Sequence, residues 1–484
     1  MIRLFAVLLQ LILACVAVRG GEADAPAIGA RPVSSAELSR LSMRLKDADI
    51  KKASDAAREL GDSRQPGAAP LLLRFYGESD GERRMAAVKA LGALSVWGAA
   101  KKPETFLAMA LGDISPAIRR QAARELVQVE GADAALKRFV NAAADTKLNS
   151  PLVRNRAVHC AGMIGGLRST PFLIETLFST EIEPAIAAAE ELGELRGPSS
   201  ADALLKALGS DQAEIKAAAL EALERLSGKT FKYDLIKWAE WRAALRDEME
   251  KAAISAAPKE SARPDRYYDD SYEKRPVDIV IAFDTTGSFL HIWPQVNQAL
   301  DSVLREIVRG ELSPRIGLVR YRAIEQRVTL RYTLQPSPLT WNFDAIQKEM
   351  SVASFGGGSG ALHEGLRYAL NSMVWRERSR KVIVLIGDDS PVSPVEDPMR
   401  VVLQLTHDAS VLDGILVNTL YAKTTAGEEN RETYRRIAFS GSGRFYEYNK
   451  AERHLVEMSA AKVDVKGNEL PAETARKWLL PRAK

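Results

Sequence analysis

The sequence predicts a multidomain chain: an all-α solenoid followed by an α/β, doubly wound domain with a mainly parallel sheet. Three observations carry this. Six short segments rich in alanine and leucine recur at near-constant spacing before residue 228. From Pro276 onward, β-branched apolar runs alternate with amphipathic helical stretches. Between the two patterns lies a stretch rich in Ala, Pro and charge, residues 251–275.

The amino terminus is expected to be a targeting segment. Arg3 precedes an apolar run from Leu4 to Val18, interrupted only by Gln10, and small residues follow at Gly20-Gly21. That order is the pattern of a secretory signal peptide over residues 1–20. The run is short for a membrane span. An uncleaved leader acting as an anchor is the alternative, and Ile12-Leu13-Ala14-Cys15 is a loose match to a lipoprotein box in which Leu13 fits poorly. The expectation is an exported protein, periplasmic, cell-surface or secreted, whose membrane association is peripheral or through that leader. Residues 21–34 are expected to be a linker.

The 484 residues are 46% hydrophobic, enough for sizeable cores. A formal net charge of +4 is spread along the chain and gives no electrostatic case for nucleic acid. Of two cysteines, Cys15 lies in the leader, so Cys160 has no partner for an internal disulfide in the mature chain.

Residues 35–250 are expected to be helical throughout. The recurring segments are 56–61, 87–92, 122–126, 157–162, 188–193 and 219–223. Aligned on positions 60, 91, 126, 161, 192 and 223, they are spaced by 31, 35, 35, 31 and 31 residues. One helix pair per period is the mark of an α-solenoid. Small residues on the inner helix let neighbouring repeats approach closely, and leucine and valine fill the seam. Ser115-Pro116, Ser150-Pro151 and Gly197-Pro198 punctuate the array, proline being tolerated in the first helical turn because its missing N–H has no partner there. Phe231, Trp238 and Trp241 are expected to close the last repeat as a hydrophobic cap. In its small-residue-plus-leucine inner helix, this region resembles HEAT repeats over about residues 35–228. The resemblance implies a protein-binding scaffold.

Residues 276–465 alternate strand and helix signals. Strands are expected at Asp278–Phe283, Arg315–Tyr321, Val328–Leu334, Lys381–Gly387, Gly414–Tyr421 and Arg444–Tyr448. Helical stretches are expected at Ile292–Val308, Phe343–Met350, Leu362–Val374, Met399–Ala409, Tyr434–Phe439 and, in the last helical position, Glu452–Ala460. Such alternation implies a parallel sheet covered on both faces, with Val328–Leu334 as an antiparallel edge. Residues 466–484 form a tail.

The candidate site lies at the end of the first strand. Asp284, Thr286 and Ser288 fall on alternate residues of a loop leaving a buried run, so their oxygens can share one small volume. One carboxylate and two hydroxyls suit Mg²⁺, or Ca²⁺ or Mn²⁺, rather than Zn²⁺. A second reading of the same residues is a Ser/Thr cap on the next helix. Two further loops supply oxygens to the same end of the sheet. Asp388 and Asp389 end a second buried strand, and Gly356-Gly357-Gly358-Ser359-Gly360 precedes a helix.

With these motifs in place, the second half resembles a von Willebrand factor type A domain, whose metal-ion-dependent adhesion site is D-x-S/T-x-S. Asp284, Thr286, Ser288 and Asp388 match the family pattern. The family's further threonine falls near Gly360, which has no hydroxyl; Ser359 is the nearest substitute, and Asp389 and Gly360 are auxiliary positions. The resemblance implies binding rather than turnover: a divalent cation held by these oxygens, with an acidic side chain of a protein partner completing its coordination.

Enzyme motifs are incomplete. His363-Glu364 is followed by Arg367 where H-E-x-x-H needs histidine, and the glycine-rich loop lacks the Lys-Ser/Thr of a phosphate loop. The expectation is an exported, non-enzymatic adaptor whose second half captures an acidic protein ligand through a cation and whose solenoid holds a second protein. The alternatives are a purely structural scaffold with an empty or stabilising ion site and, further off, a metal-dependent hydrolase.

Overall fold

The structure, a computed structural model, describes residues 34–244 and 275–457 except 79, 97–101, 196, 310–312, 327–328, 357, 359, 390, 392–396, 423–427 and 450–453. The expected signal segment, nearly all of both linkers and the tail lie outside these residues. No helix among the described residues is long and apolar enough to cross a membrane.

The first region is built from twelve labelled helices: α1 (Ser35–Arg44), α2 (Ile50–Asp62), α3 (Ala68–Glu78), α4 (Gly81–Val96), α5 (Pro103–Gly112), α6 (Pro116–Glu130), α7 (Ala132–Ala144), α8 (Pro151–Gly165), α9 (Thr170–Leu177), α10 (Ile182–Leu195), α11 (Pro198–Ala207) and α12 (Ala213–Ser227). All six small-residue segments fall on even-numbered helices, which pack side by side in succession. The close approach is visible at the motif glycines. A Cβ on Gly61 would lie 2.8 Å from the Ala90 carbonyl oxygen, and one on Gly193 would lie 3.0 Å from that of Ala222. Gly61 thus leaves no room even for a methyl group, and Gly193 next to none, where one inner helix meets the next.

Helix starts follow the local chemistry. Ser115 and Ser150 accept hydrogen bonds from the N–H groups of Ile118 and Val153, and Pro116, Pro151 and Pro198 occupy first helical positions. The expected cap is present. Trp238 is fully buried, donates its indole N–H to the Lys232 carbonyl, and meets Phe231 and Trp241 edge to face.

The second region is a seven-stranded sheet. Its strands are β1 (Val277–Asp284), β2 (Arg315–Gln326), β3 (Thr329–Thr340), β4 (Arg380–Gly387), β5 (Ile415–Tyr421), β6 (Ser442–Asn449) and β7 (His454–Glu457), in the order β3-β2-β1-β4-β5-β6-β7. Pairings are parallel except β2–β3 and β6–β7. Its helices are α13 (Trp293–Arg309), α14 (Phe343–Ser351), α15 (Leu362–Asn371), α16 (Pro398–Asp413) and α17 (Glu428–Ser440). Strand β1 is buried on both sides, and its period of two divides the core. Ile279, Ile281 and Phe283 pack with α13 and α14, while Val280 and Ala282 pack with α15, α16 and α17.

The structure corrects three sequence expectations. The antiparallel edge strand runs on to Thr340. The last expected helix is replaced over His454–Glu457 by a strand, which supplies β6 with a hydrogen-bonded neighbour. Helix α15 stops at Asn371, not Val374, releasing residues 372–379 into a loop that meets the helical region.

That loop is the centre of a contact between the two halves. Arg376, Glu377 and Arg378 pair with Glu221, with Arg119 and Arg120, and with Glu194, respectively. The Arg156 guanidinium donates to the Asn371 carbonyl at 3.1 Å. The Asp413 carboxylate accepts from Ser115 Oγ at 3.0 Å and the Ala117 N–H at 3.1 Å, and Asp408 accepts from the Gly81 N–H at 2.9 Å. These partners lie on the inner helices α4, α6, α8, α10 and α12. The inner helices of the array are thus engaged by the chain's own α/β region.

Candidate functional site

Strands β1 and β4 are neighbours, yet the chain leaves β1 toward β2 on the other side. The crevice beyond their carboxyl ends is a topological switch point, where ligands of open α/β sheets bind. Asp284 is the last residue of β1, and Asp388 directly follows β4. Three backbone links position the loops. Thr285 N–H donates to the Tyr321 carbonyl at 3.0 Å, Gly356 N–H to the Thr285 carbonyl at 3.1 Å, and Thr286 bridges to Gly356. The Asn430 side-chain amide holds the Asp388 carbonyl at 2.9 Å.

An aromatic group supports the loop after β1 and the glycine-rich loop from below. Phe283 stacks on Trp293 with centroids 4.2 Å apart, and Phe289 and Phe355 flank the same indole. The indole N–H is fixed on the Met350 carbonyl at 3.0 Å. Sequence reading missed Trp293. The available signal was an aromatic residue next to two of the three oxygen-bearing segments: Phe283 and Phe289 on either side of Asp284 to Ser288, and Phe355 before the glycine run.

The oxygens converge as the motif predicted. Carboxylate oxygens of Asp284, Asp388 and Asp389 all lie within 4.8 Å of one another. Thr286 Oγ1 and Ser288 Oγ are 3.0 Å apart, and the Thr286 N–H donates to Asp284 Oδ1 at 2.7 Å. Asp284 Oδ2 is buried with no hydrogen-bond partner. Asp284, Thr286, Asp388 and Gly360 are buried, whereas Ser288 and Asp389 are partly exposed and mark the open side. Ser359 lies outside the described residues. The capping reading is not supported, because Thr286, the residue before the short helical turn Gly287–His291, makes no side-chain capping bond.

The groups that set the acidity of Asp284 include no cation. Burial pushes the Asp284 carboxyl up to about 8, with the Asp389 and Asp388 carboxylates adding to the rise against the Thr286 N–H. Burial likewise raises Asp389. An orphaned, buried carboxylate oxygen among two further carboxylates and two hydroxyls fits a hard divalent cation. A chain holding one there would use Asp284, Thr286, Ser288 and Asp388, with Asp389 at hand.

A family model of the von Willebrand factor type A domain matches residues 278–460. No curated protein matches the chain. Among solved structures, the chain is similar to the SpRpn10 VWA domain, at 12% identity over 34% of this chain and 82% of that one, TM-score 0.26. It is similar to the pilus adhesin SpaC from Lactobacillus rhamnosus GG at 16% identity, covering 37% of this chain and 28% of the adhesin, TM-score 0.29. Proximal thread matrix protein 1 from the mussel byssus shares 18% identity over 34% of this chain and 39% of its own, TM-score 0.26. Taken with the sheet order and the strand-end acids, the family match places a von Willebrand factor type A domain at residues 278–460, preceded by a helical solenoid.

Proposed function

We propose that this protein is an exported, non-enzymatic adaptor in which the type A domain captures a protein ligand through a divalent cation, Mg²⁺ or alternatively Ca²⁺ or Mn²⁺. One observation carries the reading: Asp284 is fully buried, with one oxygen unpartnered, at a crevice where the loops after β1 and β4 bring carboxylates together. A cation bound there supplies Lewis acidity toward one further oxygen donor. The chain's own residues do the rest. Asp284 and Asp388 bring negative charge, Thr286 and Ser288 bring neutral oxygens, and the aromatic group beneath keeps the loop after β1 and the glycine-rich loop in register. A carboxylate from an acidic partner residue is the donor that such an ion attracts most strongly.

The docking of the halves sets the orientation. Solenoid contacts gather around the loop before β4, while the cation site lies beyond its carboxyl end. The eight residues of β4 separate the two by roughly 25 Å at about 3.3 Å per residue. The site therefore faces away from the solenoid, open to a partner. A second protein on the solenoid would meet its outer helices or the groove of about 470 Å³ between α2, α4 and Leu412.

The test is capture from the native envelope fraction by the full chain, with and without EDTA, and by Asp284→Ala. The adaptor reading expects a partner lost under both treatments while the solenoid stays folded. Capture surviving both contradicts it. Mg²⁺ that raises the melting temperature but leaves every captured protein unchanged supports the scaffold reading instead.

A further inference from the structure

Gly360 sits at the rim of the cation site, on the connection from α14 to α15. It is buried, yet the space beside it is not empty. A Cβ built on Gly360 would collide with Cβ of Asp389, and would lie 3.1 Å from Asp389 Oδ2 and 3.3 Å from Asp284 Oδ2. The Asp389 side chain thus fills the volume that a side chain at 360 would claim. In doing so it brings its carboxylate up to the orphaned oxygen of Asp284. Asp389 Oδ2 and Asp284 Oδ2 face the same small space, from which any larger residue at 360 would exclude them.

We propose that Asp389 is a direct ligand of the divalent cation, standing in the place that the missing side chain of Gly360 leaves open. The inference rests on the cation-binding reading of the site and deepens it. Its consequence is a site with three carboxylates instead of two. Three carboxylates against a doubly charged ion leave one net negative charge, so the ion is held before a partner arrives and draws an acidic partner residue less strongly than a two-carboxylate site would. That composition also favours Ca²⁺, which accepts several carboxylates in flexible geometry, over Mg²⁺, which keeps its water and demands a near-ideal octahedron. Gly360 and Asp389 are then a matched pair: neither residue makes sense at this site without the other.

The experiment is calorimetric titration of the metal-free, full-length chain with Ca²⁺ and, separately, Mg²⁺. Wild type is compared with Asp389→Asn, Gly360→Ala and the double variant Gly360→Thr/Asp389→Gly. Asp389→Asn keeps the shape and removes the charge, and should weaken Ca²⁺ binding about tenfold or more. Gly360→Ala should weaken it as well, by displacing Asp389 with its carboxylate intact. The double variant exchanges the carboxylate for a hydroxyl, and should bind Ca²⁺ more weakly than wild type while narrowing the preference for Ca²⁺ over Mg²⁺. Melting curves of the metal-free variants establish folding, and whichever single variant is folded decides the matter. Wild-type Ca²⁺ affinity in Asp389→Asn or Gly360→Ala overturns the role of Asp389 and leaves the cation reading standing. Failure of the wild type to bind either ion overturns both.

Discussion

Strand β1 carries two buried aspartates six residues apart, and they live opposite lives. Asp278 and Asp284 lie on the same face, with Val280 and Ala282 between them, and both are 0% exposed. Asp278, at the amino end, is saturated. Arg315 Nε and Nη2 donate to it at 3.0 and 2.8 Å, Arg376 Nε and N–H at 2.8 and 2.7 Å, and Ser379 Oγ at 3.0 Å. Burial alone would raise its pKa, but the two guanidiniums hold it well below the usual carboxylate range. Asp284, at the carboxyl end, has a single N–H donor on Oδ1, an unpartnered Oδ2 and two carboxylates for neighbours. The same residue type, equally buried on the same strand, is thus saturated where arginines surround it and, in the proposed function, a cation ligand where they do not. The positive charge that the fold supplies at one end must come from outside at the other.

Substitution breaks the comparison most sharply. Asp278→Asn leaves Arg315 and Arg376 buried without their anion and should destabilise the domain by about 3–5 kcal/mol in chemical denaturation. Arg376 also pairs with Glu221 of α12, so the same change should loosen the attachment of the solenoid. Asp284→Asn, measured in EDTA at neutral pH, should cost less than ~1 kcal/mol, since the metal-free carboxyl is held protonated and asparagine is its neutral analogue of the same shape. Equal losses at both positions would refute the distinction.

Acidity sharpens it with a smaller effect. In metal-free protein the folded pKa of Asp284, about 8, lies above an unfolded value of about 3.9. The folded state then holds a proton that the unfolded chain has lost, so this contribution to stability declines as pH rises from about 4 to 8. Saturating Ca²⁺ should remove that decline by replacing the proton. Asp278 contributes with the opposite sign: its stabilisation is present above about pH 4 and is lost on acidification. Glu377 behaves like Asp278. Burial raises its pKa, but Arg119, His159 and Arg120 bring it down to about 2, so docking of the two halves should weaken as pH falls below an unfolded value of about 4.3. Melting temperature against pH, with EDTA and with Ca²⁺, checks both signs.

These contrasts also explain what the sequence could reveal. The solenoid was legible because its requirement is local and repeated: each inner helix must present small residues to the next, and Gly61 and Gly193 show why. The strand-end oxygens were legible because Asp284, Thr286 and Ser288 are close in sequence, so one loop sets their convergence. The partners of Asp278 were not. Arg315 and Arg376 are 37 and 98 residues away along the chain, and an arginine that neutralises a buried acid has no local pattern to mark it. The pairing of Arg376 with Glu221 spans 155 residues and was hidden for the same reason. So was the fit of Asp389 against Gly360, which depends on two loops meeting. The early end of α15 carried no breaker signal either, because residues 372–379 are held by distant partners, Asp278 of β1 and the solenoid.

Anomalous diffraction from crystals of the full chain grown with Mn²⁺ addresses the central claim most directly. The account predicts a peak enclosed by Asp284, Thr286, Ser288 and Asp388, with none beside Asp278. An ordered crevice that shows no peak there, in crystals whose Mn²⁺ binds elsewhere on the chain, would contradict it.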